Sequence, residues 1–296
     1  MSMMVFEWQA EEASLTRTFL KHHGVSRRML SRIKFHGGQI LVNGVEQNVR
    51  HPLRVGDKVT VMLPSEGKQE IIEAIDLPID ILFEDDHYIA VNKPAGYTSI
   101  PSQYNPQGSM ANILKAYYQK QNYENQVIHV VTRLDRDTSG VMLFAKHAFA
   151  HGLIDQQMQK QGLEKTYIAI ANQRVKEVDH GFIDDPIDRS PRSIVERRVH
   201  ESGQDALTEF WLDQEIGDVK VYRVQLHTGR THQIRVHFAF HGAPLIGDDL
   251  YGGSLAYPIQ RQALHCQSLK FRHHFTGEMI EIKGPVPDDI SSWLPL

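Results

Sequence analysis

Apolar positions change their spacing twice along this chain of 296 residues. Over residues 14–23, Leu15, Phe19 and Leu20 recur at helical spacing, and Gly24 ends the run. Ser26 suits the N-cap of a second helix with Met29, Leu30 and Ile33 on one face, stopped by Gly37-Gly38. Ile40-Leu41-Val42 then meets Asn43-Gly44 and Val45, a tight-hairpin pattern, and Val55-Gly56-Asp57 turns the chain into a strand over 59–63. Residues 65–78 are largely polar and read as a linker. Beyond them the period is mostly that of strands. Runs at 81–83 and 88–91 flank the turn Asp85-Asp86, residues 141–145 are wholly apolar, and 166–171 and 219–226 alternate. Helices are expected over 149–161, on Leu153, Ile154 and Met158, and over 233–241, before Gly242. Strands outnumber helices and do not alternate regularly with them, which predicts an α+β fold with a mixed, mostly antiparallel sheet.

Charge adds a polarity to this layout. The net charge is −4, yet residues 1–70 carry ten Lys and Arg against seven Asp and Glu. Arg17, Lys21, Arg27, Arg28, Arg32 and Lys34 fall in 13–45 without one acid between them. Segregated basicity on a near-neutral protein suits nucleic acid, although a solvated helix face gives the same pattern. The single Cys266 leaves no internal disulfide and fits a reducing compartment, so the cytoplasm is expected. No apolar run is long enough to span a membrane, and Glu7, Glu11 and Glu12 without a basic start do not read as a signal peptide.

Two segments carry the candidate chemistry. Arg133-Leu134-Asp135-Arg136-Asp137-Thr138-Ser139-Gly140 places an acid between two arginines in a turn ahead of the apolar run. Thr228-Gly229-Arg230-Thr231-His232-Gln233-Ile234-Arg235 supplies two further cations. A carboxylate among cations can act as nucleophile or base, and spare arginines suit a polyanion. An aspartate in such a turn can equally cap it or pair with Arg136. His237 and His241, four apart, with His232 nearby, form a conceivable metal face. No HExxH or CxxC accompanies them, so no metal is expected. Neither common Gly-rich phosphate loop occurs.

Read together, these two segments resemble the RluA family of RNA pseudouridine synthases. The resemblance implies the pseudouridine synthase fold and makes Asp135 the catalytic residue. It implies that Arg133 stabilises the gap left when a uridine leaves its stack, a step costing a few kcal/mol. Tyr167, in Lys165-Thr166-Tyr167, would lie against the flipped base, Arg230 would pair with Asp135, Ile234 would line the pocket, and Lys165 would contact phosphate or brace the site. The implied reaction breaks the N1–C1′ bond of an RNA uridine, turns the base and rejoins it through C5, with no cofactor. Asp135 would act at the ribose as nucleophile or as base.

The basic N-terminal stretch, through Val25-Ser26-Arg27-Arg28, Gly38-Gln39-Ile40-Leu41-Val42-Asn43-Gly44 and Val55-Gly56-Asp57, resembles an S4 RNA-binding domain. Arg27, Arg28, Arg32 and Lys34 would face RNA. The expected division is an S4-like domain at 12–64, a linker at 65–78 and a catalytic domain at 79–296. Further likeness at 181–187, 242–252 and 265–288 extends the match over residues 12–290. Thr132 departs from it, standing where the family usually has histidine, as does Phe35-His36-Gly37-Gly38 in the S4-like part. The implied partner is structured RNA, large-subunit ribosomal RNA first and transfer RNA second, for a monomeric enzyme. The rival readings are a non-catalytic RNA-binding assembly factor and a methyltransferase dependent on S-adenosylmethionine.

Overall fold

The computed structural model describes residues 4–67, 72–102, 106–160 and 162–294. Part of the expected linker, residues 68–71, and the end of the helix expected over 149–161 lie outside the described residues.

Helices α1 (Thr16–His22) and α2 (Arg27–Phe35) form where their apolar stripes predict. The Ser26 hydroxyl accepts from the Met29 N–H at 3.1 Å, so α2 starts at a satisfied cap. The turn at Asn43 and Gly44 takes positive φ at both residues (50° and 80°), as a two-residue hairpin requires. Strand Gln39–Val42 leaves that turn with Val45–Glu46 on one side and Lys58–Met62 on the other. A fourth strand, Val5–Gln9, pairs with Lys58–Met62 and extends this unit upstream of residue 12. Its signal was the alternation of Phe6 and Trp8 with Glu7 and Gln9, half-buried against exposed.

The larger sheet has ten strands. Its main path runs His180–Ile183, Thr208–Ile216, Val219–Leu226, Leu163–Ala171, Leu264–Arg272, Ser139–Ala145, Tyr88–Lys93 and Ile81–Glu84. The expectation of a mixed, mostly antiparallel α+β fold holds. Among the described strand pairs, only Ser139–Ala145 and Leu264–Arg272 run parallel, meeting at Ser139 opposite His265 and Gly140 opposite Cys266. The strands approach so closely there that a Cβ on Gly140 (φ +118°) would lie 2.1 Å from the Cys266 carbonyl oxygen. Only glycine fits.

Helix α3 (Met110–Lys120) was not among the expected elements. Its start is marked by Ser109 and Asn112, whose side chains form a reciprocal capping box. Helix α4 (Ala148–Gln159) turns Ala150 and Ile154 into the core of the large sheet. Its Phe149 and Leu153 pack instead with Leu20, Val25, Met29 and Ile33 of the N-terminal unit. Burying one such side chain contributes about 1.5–3 kcal/mol, so α4 joins the two units firmly. Helix α5 (Gln233–Phe240) lies against the hairpin of Ile187–Arg189 and Arg197–Val199. Among the described residues no helix is long and apolar enough to cross a membrane.

Candidate active site

The turn bearing Asp135 enters the parallel crossing of the sheet and is fastened at nearly every residue. Thr132 Oγ1 accepts from the Leu143 N–H at 2.9 Å, and the Thr132 N–H donates to the Leu143 carbonyl at 3.1 Å. The Leu134 N–H donates to Ser99 Oγ (2.9 Å), and that hydroxyl donates back to the Leu134 carbonyl (2.7 Å). Lys93, with no exposed surface, donates from Nζ to the carbonyls of Arg136 (2.8 Å), Tyr97 (2.7 Å) and Pro94 (3.0 Å). Burial pushes its ammonium down to about 7, against the pull of Asp137 and Asp135, while the three carbonyls use all the N–H groups of the charged form. Arg261 Nη1 holds the Asp137 carbonyl at 3.0 Å. Such a frame fixes a loop side chain to within the tolerance chemistry needs.

Asp135 opens into a cavity of about 780 Å³ that is also lined by Arg133, Lys165, Tyr167, Arg230 and Ile234. All the residues the sequence had named for the catalytic pocket therefore meet at one place. Their pairing differs from expectation. The cation at Asp135 is Arg235, with Nη1 3.2 Å from Oδ2, whereas Arg230 donates from Nε to the Asp205 carbonyl at 2.8 Å. Arg136 pairs with Asp137.

Arg235 is itself positioned. Its Nε and Nη2 donate to the two carboxylate oxygens of Asp248 at 2.7 and 2.8 Å, and its guanidinium lies 5.0 Å from the Tyr251 ring centroid. Burial opposes the charge, but Asp248 first and Asp135 second overcome it and raise the arginine above its ordinary value. Asp248 is 1% exposed, so this is a buried pair with one arginine nitrogen left over for Asp135.

The start of α5 explains why Arg235, not Arg230, points inward. His232 caps the helix from the left-handed region (φ 58°), shares a 2.9 Å hydrogen bond with the Tyr251 hydroxyl and stands 3.9 Å from Asp135. Burial holds this imidazole below its usual value, with Asp135 pulling the other way. Gln233, missed in the sequence, ties the preceding loop by accepting from the Arg230 N–H and donating to the Leu207 carbonyl and Thr208 Oγ1. Its signal was a long polar side chain at the inward-facing start of an apolar helix.

Tyr167 and Lys165 lie two apart on Leu163–Ala171, and both line the cavity. Tyr167 is 5% exposed, and burial pushes its phenol well above the ordinary range. Burial lowers the Lys165 ammonium. Arg133 is exposed, and among the described residues its guanidinium has no hydrogen bond or ion pair. The site thus holds one oriented carboxylate, a neutral aromatic wall and unspent cations, a set suited to a polyanion with a planar base.

His237 and His241 are engaged with Thr208 and Asp185. Among the described residues no group of histidine, cysteine or carboxylate side chains could hold a metal ion.

The model of the RNA pseudouridylate synthase family matches residues 87–240. A Bacillus subtilis protein named as an uncharacterized RNA pseudouridine synthase, YjbO, is 45% identical over 90% of this chain and 94% of its own length. The chain belongs to this family. It is an RNA pseudouridine synthase, an isomerase. A ribosomal large subunit pseudouridine synthase D from Xanthomonas campestris pv. campestris is 36% identical over 86% of this chain and 79% of its own. Among solved structures, human RNA pseudouridylate synthase domain containing 4 superposes with a TM-score of 0.59 at 21% identity, covering 71% of this chain and 90% of that one. That likeness shows the fold.

Of the N-terminal cations, Arg27, Arg28 and Lys34 of the synthase are exposed, as a nucleic-acid face would need. Arg32 is half-buried and stands 3.9 Å from Glu66. It belongs to the contact with the larger unit.

Proposed function

We propose that the synthase isomerises a uridine of large-subunit ribosomal RNA, with Asp135 reacting at the ribose. The observation that carries the substrate class is the 36% identity to an enzyme named for the ribosomal large subunit, supported by a second such relative from Xylella fastidiosa at 34%. The fastened Asp135 with Arg235 alongside supports the role of the carboxylate, whether it attacks C1′ or removes a ribose proton. Either route breaks N1–C1′, forms C5–C1′ and ends with the C5 hydrogen lost as a proton and N1 protonated. Arg235 takes the pairing role first assigned to Arg230. Tyr167 offers its ring to the flipped base, Ile234 closes the apolar wall, and Lys165 and Arg230 meet phosphate or uracil oxygens. Arg133, exposed and without an ion pair among the described residues, is suited to the gap in the stack, since a guanidinium stacks on bases. The enzyme acts in the cytoplasm, in keeping with its lone, buried Cys266, and a monomer is the simplest reading of the chain.

Tritium release from RNA labelled at uridine C5 tests this. Unmodified ribosomal RNA should release tritium without added cofactor and transfer RNA should not. Release from transfer RNA alone would reassign the substrate.

The N-terminal unit is proposed as an S4-like RNA contact linked through 65–78 to the catalytic unit. Arg27→Ala with Arg28→Ala should weaken RNA binding and reduce the slope of log K against log salt by about 1 to 2, as two lost phosphate contacts require. An unchanged slope would mean that this face does not touch RNA.

A further inference from the structure

The N-terminal unit meets the larger one over a cluster of rings that do not line the Asp135 cavity. Phe6, on the strand Val5–Gln9, stacks on Phe275 with centroids 5.4 Å apart and meets Phe149 of α4 edge-on at 4.9 Å. Two imidazoles share this cluster. The rings of His87 and His147 have their centroids 6.1 and 5.9 Å from that of Phe6, and His87 stacks on Phe275 at 3.6 Å. His147 is 2% exposed.

Only neutral imidazoles fit these contacts. His147 Nδ1 accepts from the Ala150 N–H at 3.1 Å and so caps α4, which leaves its one proton on Nε2. That nitrogen lies 3.0 Å from His87 Nδ1, which must therefore accept. A second proton on His147 would face the Ala150 N–H, and one on His87 Nδ1 would face the Nε2–H of His147. Burial is the largest influence on both rings, pushing His147 down to about 3 and lowering His87. Lys146, His129 and His273 act in the same sense, and Asp85, Asp86 and Glu66 oppose them. From the N-terminal unit the pair meets the uncharged ring of Phe6, and Arg32 stands 3.9 Å from Glu66.

We propose that the His87–His147 pair is an acid-sensitive latch: protonation of either imidazole breaks the pair and releases Phe6, and with it the N-terminal unit, from the larger unit. An imidazole freed into water regains its ordinary value of 6.5, far above that of the latched His147. The open form therefore takes up protons that the closed form refuses once the pH falls below about 6.5, and at pH 5 His147 alone favours opening about thirtyfold. At higher pH both forms are neutral and the latch holds. Opening lets α2, with its exposed Arg27 and Arg28, move relative to the Asp135 cavity. The latch needs nothing from the chemistry at Asp135 and stands if the substrate is reassigned.

Small-angle X-ray scattering of the full chain from about pH 8 to pH 4.5, with far-UV circular dichroism on the same samples, tests the latch. Burial works against the Glu66 charge, but His129, the Ala148 N–H and Arg32 hold that carboxylate below its ordinary 4.5, so it stays ionised over this range. The longest dimension of the wild type should stay constant down to about pH 6.5 and grow below it, while the circular dichroism is unchanged. His87→Phe with His147→Asn removes both titrating rings, yet asparagine can still cap α4 and phenylalanine can stack on Phe275. This variant should stay compact throughout, although His237 and His265, also lowered by burial, remain in it. Phe6→Ala weakens the closed form without touching a titrating group and should expand about half to one pH unit above the wild type, the shift that a three- to tenfold loss of closure gives for one proton. A wild type that stays compact to pH 4.5 would overturn the proposal. So would expansion of the double variant at the wild-type pH, or an unmoved transition in Phe6→Ala, which alone decides the matter if the double variant does not fold.

Discussion

Asp135→Asn is expected to eliminate isomerisation in a protein that still folds and still binds RNA. The asparagine carbonyl can go on accepting from Arg235, and the hydrogen bonds that fasten the turn, through Ser99, Lys93 and Arg261, involve the backbone. What is lost is the charge and, on the proposed role of Asp135, the oxygen that reacts at the ribose. Single-turnover tritium release should fall by roughly ten-thousand-fold or more, in line with the loss of other reacting side chains. The denaturation midpoint should move by less than the equivalent of about 1 kcal/mol, because the carboxylate is partly open to solvent. Wild-type release by this variant would place the chemistry on another group.

The second large effect is on stability. Both oxygens of the buried Asp248 carboxylate are taken by Arg235. Arg235→Met would leave that charge uncompensated, which typically costs about 3–5 kcal/mol. It would also free Asp135 from its only arginine partner among the described residues. Arg230→Met removes a single bond to a carbonyl on a partly exposed side chain and should cost about 1 kcal/mol or less. Urea denaturation of the two variants therefore separates the two arginines. Adding Asp248→Asn to Arg235→Met should recover part of the stability and none of the activity. If Arg230→Met proved the more damaging change, the assignment of Arg235 as the residue that orients Asp135 would be wrong.

The residues around the cavity were legible to different degrees, for physical reasons. Asp135 stood out as an acid among arginines before a wholly apolar run, but a turn cap or a pair with Arg136 fits that pattern too, and only the family resemblance pointed to chemistry. Tyr167 and Lys165 were legible only through the family resemblance, since a tyrosine and a lysine on a half-buried strand carry no site signal of their own. The choice between Arg230 and Arg235 was not legible from spacing. It depends on the left-handed turn at His232, which sets where α5 begins and so which arginine faces in. A clue was available in Arg235 itself, lying between Ile234 and Val236 in an apolar helix. An arginine there needs a buried acid, and Asp248 was a candidate. The strand Val5–Gln9 and α3 were passed over because their signals are short, an alternation of two aromatics in one case and a serine–asparagine cap in the other. The hairpin at 187–199 gave no periodic signal, since its strands are three residues each.

Helix α4 serves two cores at once, with Ala150 and Ile154 in one and Phe149 and Leu153 in the other. This limits how such a chain can be rearranged by recombination. A catalytic unit cut free of residues before 65 would carry two large apolar side chains into water beside Phe275, an adhesive patch that invites aggregation. A foreign N-terminal module grafted in its place would have to match that surface as well as bind the right RNA. The larger unit made without residues before 65 is therefore expected to be less soluble than the whole chain, and Phe149→Ser with Leu153→Ser should restore its solubility.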